Sequence, residues 1–125
     1  MNKIKTIIII LSLVLTACSV IAPTPIDSGI EGQVFIGPIC PVVQSGQECP
    51  DQPYQAHLTV TTTGGKRVVQ IQTNKNGYFK IPLAAGKYIL HPESPNVMPF
   101  AGEQNMIVED GKFTQVVVNY DSGIR

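Results

Sequence analysis

The sequence predicts an all-β domain, a seven-stranded Greek-key sandwich, and three observations lead there. Beyond residue 29, apolar residues recur at every second position in short runs. Glycine, proline, asparagine or aspartate turn signals separate nearly all of those runs. No stretch of ten or more residues past the N-terminal region carries a helical period. Seven short strands over about 90 residues fit two packed sheets.

The strands follow in order. In GIEGQVFIG, Ile30, Val34 and Ile36 share one face. In AHLTVTTT, Leu58 and Val60 face one way, and His57, Thr59 and Thr61 the other. Gly64-Gly65 turns the chain into KRVVQIQT, where Val69 and Ile71 point inward. Asn74-Lys75-Asn76-Gly77 is a turn into YFKIPL, with Phe79, Ile81 and Leu83 on one side. Gly86 opens KYILHP, which places Tyr88 and Leu90 together. After the longer loop ESPNVMPFAGEQ comes NMIVE, with Met106 and Val108 aligned. Asp110-Gly111 is expected to close a hairpin onto FTQVVVNY, where Val116, Val118 and Tyr120 alternate with Gln115, Val117 and Asn119.

The N-terminus, MNKIKTIIIILSLVLTAC, has the layout of a secretion signal. Lys3 and Lys5 precede an apolar segment, and Leu15-Thr16-Ala17-Cys18 provides a small-residue cleavage site. This last piece resembles the bacterial lipobox, which implies removal of residues 1–17 and a diacylglycerol on Cys18. The apolar run from Ile7 to Ala22 is shorter than the roughly 20 residues of a spanning helix and is stopped by Pro23 and Pro25. Acyl chains gain about 0.8 kcal/mol per buried methylene, so two or three would hold the chain on a membrane. Ser19 after the cysteine resembles the pattern sent to the outer membrane in a host with two membranes. Residues 18–29, with two prolines and a closing Ser-Gly, read as a flexible tether, 30–121 as the sandwich and 122–125 as a short tail.

Loss of Lys3 and Lys5 leaves seven basic against nine acidic residues, a formal charge of −2 with no basic stripe, so nucleic acid is not an expected partner. With Cys18 assigned to lipid, Cys40 and Cys49 remain in an oxidising compartment. They are expected to form a disulfide around the Ser45-Gly46 turn, contributing about 2.5–3 kcal/mol in the chain-entropy model. Neither His57 nor His91 lies at zinc-ligand spacing from them, and C-x-x-C is absent, so no metal or redox site is expected. Pro38, Pro41, Pro50 and Pro53 mark this segment as a loop standing off a sheet.

TNKNGYFKIPLAAGKYIL, residues 73–90, resembles the core motif of carboxypeptidase regulatory-like domains at Thr73, Asn74, Gly77, Phe79, Leu83, Gly86 and Tyr88. The opening GIEGQVF resembles the family's first strand, with Gly32 in the usual place. The resemblance implies a transthyretin-like, immunoglobulin-like sandwich; peptidase activity belongs to a separate zinc-binding domain and is not implied here.

A non-catalytic structural or binding module of the cell envelope is therefore expected, without cofactor. Its partners would be the membrane through the lipid and a surface glycan or envelope protein through its loops. Tyr54, Val97, Met98 and Phe100 are the candidate binding-loop residues. A carbohydrate-binding module would have to stack sugars on Tyr54, Tyr78 and Phe100, since tryptophan is absent. A small hydrolase on the same fold is the remote alternative, but no Ser or Cys has a recognisable His context and Glu93 and Glu103 read as a solvated rim. Self-crosslinking of lysine to asparagine would use Asn119, yet the first strand offers no lysine. Exposed edge strands could pair copies of the chain, although nothing in the sequence specifies an oligomer.

Overall fold

The structure, a computed structural model, describes residues 26–40 and 49–124. Cys18, the signal and most of the tether lie outside the described residues, as does the Ser45-Gly46 turn. The strands are β1 (Gly29–Gly37), β2 (Gln52–Pro53), β3 (His57–Thr62), β4 (Arg67–Gln72), β5 (Tyr78–Pro82), β6 (Gly86–Pro92), β7 (Gln104–Val108) and β8 (Phe113–Asp121). All seven expected strands form. The eighth element, β2, lies in the segment read as a loop: Gln52 and Pro53 pair with Ile36 and Phe35, and the proline occupies an edge, where a missing N–H costs no ladder bond.

Two sheets pack face to face. In the first, β1 is central, with β8 on one side and β5 then β2 along the other; in the second the order is β4-β3-β6-β7. Ile30, Val34, Phe79, Ile81, Val116, Val118 and Tyr120 from the first sheet meet Leu58, Val60, Leu90, Met106 and Val108 from the second. The period-2 pattern of each strand thus supplies the inner layer that the sequence predicts.

One expectation is corrected. Asp110-Gly111 does not close a hairpin: β7 and β8 belong to different sheets, and β8 runs parallel to β1 from Gly29↔Phe113 to Gly37↔Asp121. A tight turn specifies reversal of the chain, not whether the next strand stays in the same sheet. The two strands are still linked by side chains, since Thr114 Oγ1 donates to the Ile107 carbonyl (2.8 Å) and Gln104 Nε2 to the Val117 carbonyl (3.0 Å). Thr59 and Thr61, on the face opposite Leu58 and Val60, are themselves buried, for reasons that lie in the candidate site.

The family-like motif is the crossover from the second sheet to the first. Thr73 Oγ1, buried, accepts the Ala56 N–H at 2.9 Å, while Asn74 Oδ1 accepts the Asn76 and Tyr78 amides at 3.0 and 2.9 Å. Gly77 has φ +78°, and a side chain there would also strike the Val34 carbonyl. Tyr88 closes the next corner, donating its hydroxyl to the Ala84 carbonyl at 2.7 Å. Gly32 has another role, because a Cβ at this position would overlap the Val116 carbonyl across the parallel β1–β8 pairing. Gly32→Ala is accordingly expected to cost at least about 2–3 kcal/mol by forcing β1 from β8. Chemical denaturation of the variant beside the wild type checks this, and an unchanged midpoint would refute the close approach.

Candidate functional site

Parallel pairing gives the sandwich two distinct ends. β1 starts next to the tether, where Ser28 accepts the Leu83 amide through its carbonyl and Gly29 donates to Lys112. Nine residues on, roughly 30 Å at strand rise, β1 and β8 finish together. There Cys40 and Cys49 are joined by the expected disulfide, with Cα atoms 6.1 Å apart. Ser122 donates its amide to the Gly37 carbonyl, and Phe100 and Asp121 exchange backbone bonds at 3.0 and 2.7 Å. This end gathers the crest of the 93–100 loop: Val97 is 85% exposed, Phe100 55%, and Met98 packs beside Gly123 while staying exposed.

Of the four candidate loop residues, Val97, Met98 and Phe100 thus stand together at the end remote from the tether. Tyr54 is half-buried, meets Tyr120 edge-on at 5.0 Å, and borders the start of the same loop with Glu93, Ser94 and Pro95. The alternation that places Tyr120 inward also creates the niche Tyr54 fills, and the intervening sequence gives no local sign of that pairing. Tyr54, Tyr78 and Phe100 are therefore not one sugar-stacking set: Tyr54 packs on the core, Phe100 is at the remote end and Tyr78 is on the outer face of the first sheet.

Tyr120 also holds the loop. Its ring is 2% exposed, and its hydroxyl donates to the Glu93 carbonyl at 2.7 Å, while the Glu93 amide donates to His57. Burial foremost, then the nearby Tyr54 and Glu93, pushes the Tyr120 hydroxyl well above the ordinary tyrosine range.

The outer face of the second sheet carries a constellation that sequence reasoning missed. The Thr61 hydroxyl lies 2.8 Å from His91 Nε2, and His91 Nδ1 lies 3.0 Å from Glu103 Oε1. Since a carboxylate only accepts, Nδ1 donates to Glu103, while Nε2 on the other side of the ring meets the Thr61 hydroxyl. Glu103, read as a solvated rim residue, is exposed as such and is also one end of this relay. The relay pulls the 100–103 segment over β3 and contributes to the burial of Thr59 and Thr61. Its order of hydroxyl, imidazole and carboxylate is that of a nucleophile with its base. Thr61 sits on β3 between β4 and β6, with a register shift against β4 between Val60 and Thr61, and the order of groups alone assigns it no reaction. The arrangement serves as a tie between loop and sheet. Spacings of 30 and 12 residues gave no motif by which it could have been found.

On the first sheet, no described loop covers the outer face. Glu31, Gln33 and Phe35 on β1, Tyr78 and Lys80 on β5, and Gln115 on β8 border an open basin of about 880 Å³. Glu31 accepts from Gln115 Nε2 at 2.7 Å, Lys80 stands over the Phe113 ring at 4.3 Å, and Gln33 donates to the Asn76 carbonyl at 2.9 Å. Asn119 is also on this exposed side of β8, opposite Phe35 of β1.

No protein-family model and no curated protein matches this chain. Solved structures do resemble it. GBS52, the minor pilin of the Gram-positive pathogen Streptococcus agalactiae, is 13% identical with a TM-score of 0.57, over 78% of this chain and 45% of the pilin. The shaft pilin SpaA of Lactobacillus rhamnosus GG, as a double mutant, is 8% identical with a TM-score of 0.50, over 76% of this chain and 50% of the pilin. The chain spans about half the length of these pilins, and the likeness is one of fold: an all-β, two-sheet sandwich.

Two outcomes are expected. His91→Ala should destabilise the domain by about 1–2 kcal/mol, because Thr61 loses its partner and the loop its tie; denaturant unfolding reads this. For Tyr120, the folded state holds the phenolic proton to higher pH than the unfolded chain. Stability is therefore complete below the ordinary tyrosine pKa of about 10 and falls as pH rises beyond it. Tyr120→Phe should flatten that alkaline decline while costing about 1 kcal/mol at neutral pH. An alkaline profile identical to wild type would show that another group controls it.

Proposed function

We propose that the chain is a lipid-anchored, extracytoplasmic module of the bacterial cell envelope with a structural or binding role rather than a catalytic one. The observation that carries this reading is the polarity of the sandwich: the tether joins at the start of β1, and the apolar crest of Val97, Met98 and Phe100 stands at the opposite end beside the disulfide. An anchor at Cys18 would hold the first end at the membrane and turn the second outward, toward an envelope protein. A surface likeness of fold to pilins and a disulfide suited to an oxidising compartment support the same placement. In a host with two membranes, Ser19 assigns the anchor to the outer one.

The test is fractionation with intact-mass analysis. Wild-type protein should partition with membranes, carry a lipid-sized gain on the peptide beginning at Cys18, and resist alkylation at Cys40 and Cys49 until reduced. Cys18→Ala should lose both the mass gain and processing at residue 17. An unmodified Cys18 in the processed wild type would overturn the anchor.

A further inference from the structure

The two outer faces of the sandwich differ. The loop tie covers part of the second sheet, whereas the first leaves Tyr78 55% and Val117 56% exposed around its basin. The register places Gln33 between Tyr78 and Val117, and Glu31 between Lys80 and Gln115, in adjacent rows across three strands. Alternate residues of one strand lie on the same face, so Phe35 flanks the first row from β1.

The chemistry of this face is selective. Its one acid and one base oppose each other and are each already engaged, Glu31 by Gln115 and Lys80 by the Phe113 ring, so the basin offers no net field for phosphate, sulfate or a charged peptide. What remains are amides, each with hydrogen-bonding capacity beyond the one bond it makes, beside two aromatic rings. That combination suits a neutral polyol with apolar ring faces. The volume falls within the ~300–1,000 Å³ of small-ligand sites, and the basin is open rather than enclosed, as an extended chain requires. The existing contacts fix the side chains beforehand, which lowers the ordering cost of binding.

We propose that the outer face of the β8-β1-β5 sheet binds neutral oligosaccharides, with Tyr78 stacking on a sugar ring and Gln33 and Gln115 bonding its hydroxyls. The proposal rests on reading the chain as an envelope-displayed binding module and deepens it by naming a ligand and a face.

The full chain in detergent is applied to an array of neutral and sulfated oligosaccharides of glucose, galactose, mannose and N-acetylglucosamine, and the best binder is titrated by calorimetry. A neutral oligosaccharide should bind. Tyr78→Ala should weaken it by at least about tenfold, as expected of an aromatic anchor, and Gln115→Ala by a smaller factor. Ile107→Ala, exposed on the outer face of the other sheet, should leave affinity unchanged. Circular dichroism confirms that each variant is folded; Tyr78 is exposed, so its loss spares the core. Absence of binding to every neutral glycan, preference for sulfated ones, or full affinity in Tyr78→Ala would each overturn the proposal. Loss of affinity in Phe100→Ala alone would place the site at the loop crest instead. Each result is independent of fractionation: a glycan-binding protein lacking lipid would refute the anchor and keep this site, and an anchored protein that ignores glycans would do the reverse.

Discussion

The parallel pairing of β1 with β8 is the constraint on which the rest of the molecule depends. It joins the first and last strands of the sandwich over nine residue pairs, and its approach is close enough that only glycine fits at position 32. Direction matters as much as proximity. Because the two strands run the same way, they end together, and the residues following each of them meet: Ser122 bonds Gly37 and Pro38, and Asp121 bonds Phe100. An antiparallel last strand would have returned the chain to the tether end and left the loop crest without that support.

Loop 93–103 illustrates how a long connection can be held nearly as firmly as a strand. Glu93 is bonded from both sides by His57 and Tyr120, Phe100 bridges to β8, and Glu103 reaches β6 through His91. Between these fixed points only the crest is left for solvent. Exposed apolar residues on a restrained segment lose little conformational freedom when a partner covers them, whereas the same residues on a free loop would offset much of the contact energy. The ties thus leave stability in the sandwich while Val97, Met98 and Phe100 stay exposed on a restrained segment.

How far this could be read from sequence depends on the range of the interaction. Strand existence and inward faces were legible because alternation is local: Ile30, Leu58, Phe79, Leu90, Met106 and Val118 are all buried as the period requires. The Asn74–Gly77 turn was legible for the same reason. Pairing was not, since Asp110-Gly111 has the chemistry of a hairpin yet leads from one sheet to the other. Alternation also assigns Thr59 and Thr61 to an outer face correctly but says nothing about a distant loop descending on it. Likewise, Thr61, His91 and Glu103 carry no shared spacing, and their meeting is a property of the topology alone. The contact of Tyr54 with Tyr120 has the same character, because Tyr120 comes from the last strand.

Open strand edges carry unpaired backbone groups that would invite pairing between copies, and the edges of both sheets are shielded against it. The β5–β2 edge is shortened by a two-residue strand ending in Pro53, which lacks an N–H to donate. On the opposite side, Gln104 and Thr114 occupy carbonyls of β8 and β7 with side-chain donors, spending acceptors that another strand would need. At the β4 edge, Lys66 and Arg67 add like charges that repel a second copy. The sheet edges are thereby made poor partners, while the loop crest and the uncovered amide-and-aromatic face stay available. The same sandwich separates the surfaces it protects from those it presents.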